Sequence, residues 1–322
     1  DNTAGAAGLV QGTRLRYALG RQASEQELIS GETTMRRQIC SALISLVLAV
    51  PGALVAQEFD DVVININPVA GNVSYIEGRG GNMGLFIGED GVFLIDDQYA
   101  PLTDKIVSAI RLISDEPIRF LVNTHMHPDH TGGNENFGRM GTMIFGHDNV
   151  RSQMEKAAYD EEPPFITYSD EMSFHINGER VHVFKVPDAH TNGDSFIKFH
   201  GSNVVHTGDV YRTTTYPYID VNNGGSYLGT IDALNLLLAV SDNDTKIIPG
   251  HGGVSNVAEV TVFRDMLVDI RDRVAEAIRE GMSLEEIQAA GLTAEYDERW
   301  AGSGRIGGAA SMLAAVYADL AN

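Results

Sequence analysis

The chain has 322 residues, 43% of them hydrophobic, enough to bury one large core or two small ones. Its formal net charge of -21 argues against a nucleic-acid partner, because an acidic surface without a basic stripe repels a phosphate backbone. The single cysteine, Cys40, excludes an intrachain disulfide framework and a zinc ribbon, so a transition-metal site must use histidine and carboxylate ligands.

Near the N-terminus, Met35-Arg36-Arg37 precedes the apolar run 39–50, and Pro51-Gly52-Ala53-Leu54-Val55-Ala56 follows. This charged, apolar, small-residue order is that of a secretory signal peptide over 35–56, cleaved after Ala56, with 1–34 an upstream extension. The run is short for a stable membrane span. A periplasmic or secreted location follows as an expectation, and an apolar helix packed on the domain is the competing reading.

Residues 57–322 read as one α/β domain. Residues 84–87 and 92–95 form strands around a Gly88-Glu89-Asp90-Gly91 turn. Helical spacing covers 103–113, with Thr103 as its cap, and a short apolar strand covers 118–122. A helix over 150–158 precedes two hairpins. The first joins 172–175 to 181–186 through Asn177-Gly178, and the second joins 195–199 to 204–207 through Gly201-Ser202. Helices at 227–240, 257–279, 283–290 and 309–320 follow, with a strand at 246–248. Two strand-rich halves, each followed by helices, predict two sheets packed face to face with helices outside.

The run Thr124-His125-Met126-His127-Pro128-Asp129-His130 begins just past the strand at 118–122. Its His125, His127, Asp129 and His130 suit two adjacent ions better than one tetrahedral ion, which would take most of its shell from one strained loop. Further candidates sit in turns after strands: His190, Asp209 and His251, with a glycine in each turn (Gly193, Gly208 and Gly250) that lets the backbone bend sharply. Of the other histidines, His175, His182 and His200 fall in strand patterns and His147 in a solvated helix start. His206 is not counted as a ligand. Tyr211, Tyr216 and Tyr218 follow Asp209 and are expected near the mouth of the site, Tyr211 as a substrate contact.

In this order, these residues resemble the metallo-β-lactamase superfamily over essentially all of 64–322. The resemblance implies a four-layer αβ/βα sandwich, with metals at one edge between two mixed sheets. Carried over by position, His125, His127 and His190 would hold one zinc, and Asp129, His130 and His251 a second, with Asp209 bridging. Asp96 or Asp97 matches the acidic residue behind the histidine loop, orienting a ligand imidazole or the loop backbone. Arg212 stands where dedicated zinc β-lactamases carry a lysine for the substrate carboxylate, and Asn222 and Asn223 fall near the position used there for the lactam carbonyl.

The implied function is a dizinc hydrolase that activates a bridging water to open β-lactam amides, with Asp129 orienting the nucleophile and relaying a proton. The alternative is a lactonase or (thio)esterase, because Asp209 replaces the cysteine or serine of dedicated β-lactamases. A flavodiiron-type carrier would have glutamate in place of His127 and an attached flavin domain. An iron sulfur dioxygenase shares much of the ligand set, and metal analysis with oxygen uptake separates it. The expected partner is a small-molecule substrate, with a homo-oligomer compatible with the chain.

Overall fold

Strand β4 (Gly91–Ile95) shows how the layers arise. Successive side chains of a strand point to opposite faces. Phe93 and Ile95 enter one apolar cluster, while Val92 and Leu94 enter another. A strand buried on both sides needs cover on both, and the rest of the domain supplies it.

The computed structural model describes residues 59–159, 161–302 and 307–321. The extension read at 1–34 and the signal peptide read at 35–56 lie outside the described residues. One seven-stranded sheet has the order β1 (Asn65–Ala70), β2 (Val73–Glu77), β3 (Met83–Gly88), β4, β5 (Ile118–Val122), β6 (Met143–His147) and β7 (Ile166–Tyr168). Strands β1 to β4 pair antiparallel and β4 to β7 pair parallel. The second sheet has six strands, β8 (Glu171–Ile176), β9 (Glu179–Lys185), β10 (Ser195–Phe199), β11 (Val204–His206), β12 (Lys246–Ile248) and β13 (Ser255–Asn256), paired in chain order. Only β11 and β12 run parallel in it.

The helices are α1 (Thr103–Arg111), α2 (Pro128–Thr131), α3 (Asn134–Arg139), α4 (Asp148–Ala157), α5 (Tyr227–Ala239), α6 (Val257–Arg279), α7 (Leu284–Ala289), α8 (Ala294–Trp300) and α9 (Ala309–Leu320). Between the sheets, Phe86, Phe93 and Val122 meet Val183, Ile197 and Phe199. The Phe86 and Phe199 rings pack edge to face with centroids 5.3 Å apart, a favourable aromatic geometry. Outside the first sheet, Ile106 and Ile110 of α1 cover Val92 and Leu94. Outside the second, α5, α6 and α9 cover Phe196, Val205 and Ile247. The expected four-layer αβ/βα sandwich is therefore the architecture. Among the described residues, no helix is long and apolar enough to cross a membrane.

Local chemistry explains the elements and two departures. Asn177 and Gly178 both adopt positive φ (52° and 82°), as a two-residue hairpin turn requires. Ser283 and Glu286 form a reciprocal capping box at the start of α7. Thr103 is not a cap: a 3-10 turn over Ala100–Leu102, with Pro101 inside it, comes first, and the Thr103 hydroxyl donates back to the Ala100 carbonyl at 3.0 Å. His147 is a cap but not a solvated one. It is buried, accepts from Asn149 N at Nδ1 (3.1 Å) and donates to Ser169 O from Nε2 (2.7 Å).

Phe199→Ala leaves a cavity between the sheets and is expected to cost about 3–5 kcal/mol in urea unfolding. Val262→Ala, at an exposed site on α6, should stay within about 0.5 kcal/mol of wild type.

Candidate metal centre

The parallel pairs place the site. In each sheet the loops after two parallel strands leave the same edge, the location where α/β sheets form crevices. Asp96 and Asp97 follow β4, residues 124–130 follow β5, Asp209 follows β11 and His251 follows β12. His190 comes from the connection between β9 and β10. Backbone bonds tie the loops together: Ser195 N to Thr124 O at 3.1 Å, and Asn82 N to Gly250 O at 2.7 Å. The Asn82 side chain also donates to Pro249 O (2.9 Å) and Gly252 O (2.7 Å), strapping the His251 turn. At Gly81 a Cβ would lie 2.1 Å from His130 Cε1, so only glycine permits this approach.

Each imidazole is oriented by a partner on its far side. Thr124 Oγ1 donates to Asp96 Oδ2 (2.9 Å) and therefore accepts from His125 Nδ1 (3.0 Å), which turns the Nε2 lone pair inward. That Nε2 is buried with no hydrogen-bond partner among the described residues. His190 Nδ1 donates to the Tyr218 carbonyl at 2.6 Å, leaving its Nε2 as a lone pair. His127 Nε2 donates to Asp220 Oδ2 at 2.8 Å, which turns Nδ1 inward. These two inward nitrogens, His127 Nδ1 and His190 Nε2, are 2.8 Å apart. At that distance a proton shared by the two nitrogens, or a cation held by both, satisfies them.

A second group lies alongside. His130 Nδ1 donates to Asp96 Oδ2 at 2.7 Å, and its Nε2 lies 3.2 Å from Asp209 Oδ1 without hydrogen-bond alignment. His251 Nε2 is 3.4 Å from Asp129 Oδ2 and 3.2 Å from Asp209 Oδ2. Within each of the sets His125/His127/His190, His125/His130/Asp209 and Asp129/His130/His251, one ligand atom per residue lies within 4.8 Å of the others. The structure thus brings His125, His127, Asp129, His130, His190, Asp209 and His251 to one place. Neutral imidazoles and carboxylates with bare, buried acceptor atoms fit zinc, iron or manganese.

The two groups differ electrostatically. Burial, and then the neighbouring histidines, hold His125 far below the ordinary histidine range and His190 at about 3. Burial opposes charge on His130 too, but the Asp129, Asp209 and Asp96 carboxylates outweigh it and raise it well above normal. His251 is raised chiefly by Asp209. Asp129 falls to about 2 because His130 and His251 outweigh its burial. Burial also works against Asp209, yet His251, Arg212 and His130 hold it well below the carboxylate range.

The supporting residues divide as follows. Asp96 serves the imidazoles, while Asp97 Oδ1 accepts from Gly133 N at 2.9 Å and so holds the loop backbone. Arg212 does not face a substrate: its buried guanidinium donates to Asp209 Oδ2 at 2.6 Å. Tyr211 is no substrate contact either, being fully buried against Phe263 with its hydroxyl on Ser255 at 2.8 Å. Asn223 Nδ2 donates to Asp220 Oδ2 at 2.7 Å, and exposed Asn222 borders a pocket of about 200 Å³ beside it, so neither side chain is placed in the centre. Of the three tyrosines, Tyr218 lies nearest the ligands, its ring centroid 6.0 Å from His127 and 5.6 Å from His190. Sequence reasoning missed Asp220 and Asn82, which carried no motif signal, and gave Thr124 no role although it opens the run at 124–130. Buried His206 stays behind the site, donating to Asn82 O at 3.1 Å.

The profile of the Metallo-beta-lactamase superfamily matches residues 76–251. The chain belongs to the metallo-β-lactamase superfamily. Among solved structures, DIM-1 metallo-beta-lactamase is similar at 18% identity and a TM-score of 0.57, covering 64% of this chain and 98% of its own. A metallo-beta-lactamase from Pontibacter korlensis is similar at 16% identity and a TM-score of 0.58, covering 64% and 99%. The stereoselective inverting sec-alkylsulfatase Pisa1 from Pseudomonas sp. reaches a TM-score of 0.66 at 16% identity, over 81% of this chain and 50% of its own. The protein is thus a metallo-β-lactamase superfamily hydrolase whose His/Asp clusters are able to hold metal.

These charges predict how the metallo-β-lactamase centre loads. A metal ion must displace protons from His130 and His251, so binding at Asp129/His130/His251 should strengthen by up to about tenfold per pH unit for each proton displaced. Binding at His125/His127/His190, where His125 and His190 are already neutral, should depend less steeply on pH between 5.5 and 7.5. The sign for the metal-free fold is opposite: stabilisation from charged His130 and His251 is complete below the ordinary histidine range and lost as pH rises through their raised values. Calorimetric metal titrations across this pH range check it, and equal pH slopes for both equivalents contradict it.

Proposed function

We propose that this protein is a dizinc hydrolase of neutral acyl esters and lactones. The metal part rests on one observation: His125 Nε2, His130 Nε2 and Asp209 Oδ1 lie together, buried, with no hydrogen-bond partner among the described residues. His125, His127 and His190 would hold one ion, Asp129, His130 and His251 the other, and Asp209, lying between the groups, would serve both. When bound, such a pair supplies a water whose pKa falls from roughly 15.7 toward 7 and polarises the substrate carbonyl.

The chain's own residues do the rest. His127, Asp129 and His251 retain 15%, 23% and 29% side-chain exposure, so the centre opens on their side. Asp129, beside His130 and His251, would orient the attacking water through a hydrogen bond and relay its proton to the leaving alkoxide. Asp220 keeps His127 from turning. Tyr218 forms an aromatic wall beside both His127 and His190.

Arg212 decides among acyl groups. A β-lactam carries a carboxylate, and the cation read for it is committed to Asp209. A net charge of -21 further disfavours an anionic substrate. A slower β-lactamase activity is the second reading, supported by fold similarity over nearly the whole length of two metallo-β-lactamases. Periplasmic or secreted location, from the signal-peptide reading at 35–56, belongs to that second reading.

Zinc-loaded protein should be assayed on an aryl ester, a homoserine lactone, an acyl thioester and nitrocefin. The expected kcat/KM for the lactone or ester exceeds that for nitrocefin by about tenfold or more, which is roughly 1.4 kcal/mol in barrier. His127→Ala should reduce every activity by about a hundredfold or more, as removal of a metal ligand or its orienting partner does. Preference for nitrocefin would favour the second reading, and no turnover of any acyl substrate would end both.

A further inference from the structure

The Arg212 side chain is 7% exposed and lies in direct contact with a ligand of the centre. Its Nη2 donates to Asp209 Oδ2 at 2.6 Å and its Nη1 to Thr215 Oγ1 at 3.3 Å. The Thr215 hydroxyl in turn donates to Tyr216 O at 3.0 Å, so it faces the guanidinium as an acceptor. The backbone is equally fixed. Arg212 bridges His251 in parallel, with Thr213 N bonded to His251 O at 3.1 Å and Gly250 N to Tyr211 O at 3.0 Å.

A permanent cation beside a cluster that gathers cations is electrostatically unfavourable unless it does something there. A carboxylate has two oxygens and turns about its terminal bond, so an unrestrained Asp209 would present either oxygen, or both, to either ion. Held by the guanidinium, the carboxylate keeps the buried and unaligned Oδ1 3.2 Å from His130 Nε2 while Oδ2 stays 3.2 Å from His251 Nε2.

We infer that Arg212 is a positioning residue that fixes the orientation of the Asp209 carboxylate between the two groups of ligands, so that Oδ1 stays toward His130 and Oδ2 toward His251. This rests on the two-metal reading of the centre. Arg212 acts through Asp209 and touches neither metal nor substrate. It also draws negative charge from the shared ligand, which tunes the group whose affinity depends most on Asp209, namely Asp129/His130/His251. The tri-histidine group, built without a carboxylate of its own, is affected less.

The test is stepwise titration of metal-free full chain with Zn²⁺ against a competing chelator, together with the visible spectrum of the Co²⁺-substituted protein. Wild type should bind two equivalents. In Arg212→Met the second equivalent should weaken by about 10–100-fold, with the first within about threefold and the cobalt bands shifted. Arg212→Lys should recover part of the loss by supplying one donor to Oδ2. Thr215→Val, which keeps the charge and only loosens the guanidinium, should shift the second equivalent in the same direction by less, and it keeps the question answerable if Arg212→Met does not fold. Wild-type affinities and spectrum in these variants would overturn the inference. So would equal weakening of both equivalents accompanied by a lower Tm of the metal-free protein, the signature of a merely structural role. A wild type that binds fewer than two ions would instead overturn the two-metal reading, and this inference with it.

Discussion

The buried Asp96 carboxylate organises the whole centre from the end of β4. It accepts from Thr124 N at 2.7 Å, Thr124 Oγ1 at 2.9 Å and His130 Nδ1 at 2.7 Å. The parallel register sets this up, since Ile95 pairs with Val122 and Asp96 N bonds to Val122 O, bringing the carboxylate under the loop that follows β5. Asp96 reaches that place with φ at +60°, a left-handed conformation that typically costs a non-glycine residue of order 1–3 kcal/mol. Charge-assisted hydrogen bonds, shorter and stronger than neutral ones, offset that strain. Because Thr124 passes the orientation on to His125, one carboxylate aligns a histidine in each group of ligands. Losing it would disorient both groups together.

The sandwich explains why the ligands divide as they do. Each sheet contributes one parallel pair whose strand ends reach the shared edge, β4 with β5 in one and β11 with β12 in the other. The first delivers the clustered run at 125–130, and the second delivers Asp209 and His251. Asp209 sits where the contributions meet, its two oxygens 3.2 Å from His130 and 3.2 Å from His251. Any shear between the sheets would change those two distances in different ways. The aromatic core of Phe86, Phe93 and Phe199 resists such shear, so packing far from the chemistry maintains its geometry.

How far the sequence could be read follows from how local each signal was. The run at 125–130 carries its own spacing, and the long helix over 257–279 contains enough turns for its apolar period to show, so both were visible. Helix α2 and strand β7, of 4 and 3 residues, contain too little of a period to register. His190, Asp209 and His251 became ligand candidates through their order and the family resemblance, since nothing in their own segments names a metal. Asp220 stayed invisible because its partner His127 is 93 residues away and the loop around it reads as ordinary polar turn. Arg212 and Tyr211 were misread for a different reason. Position after Asp209 places a residue near the site, but the backbone direction decides what it faces. There the chain turns Tyr211 toward Phe263 of α6 and Arg212 back onto Asp209.

The same contacts that make the centre a good cation site make the metal-free protein less stable. His125 Nε2, His130 Nε2 and Asp209 Oδ1 are buried without a hydrogen-bond partner among the described residues. A buried polar atom left unpaired costs of order 1–3 kcal/mol. No local rearrangement removes that penalty cheaply, because Thr124 and Asp96 hold the far sides of the His125 and His130 rings. A cation bound among these atoms satisfies them. Binding free energy becomes folding free energy to that extent, and an ion that stabilises the protein is also one held ready for hydrolysis.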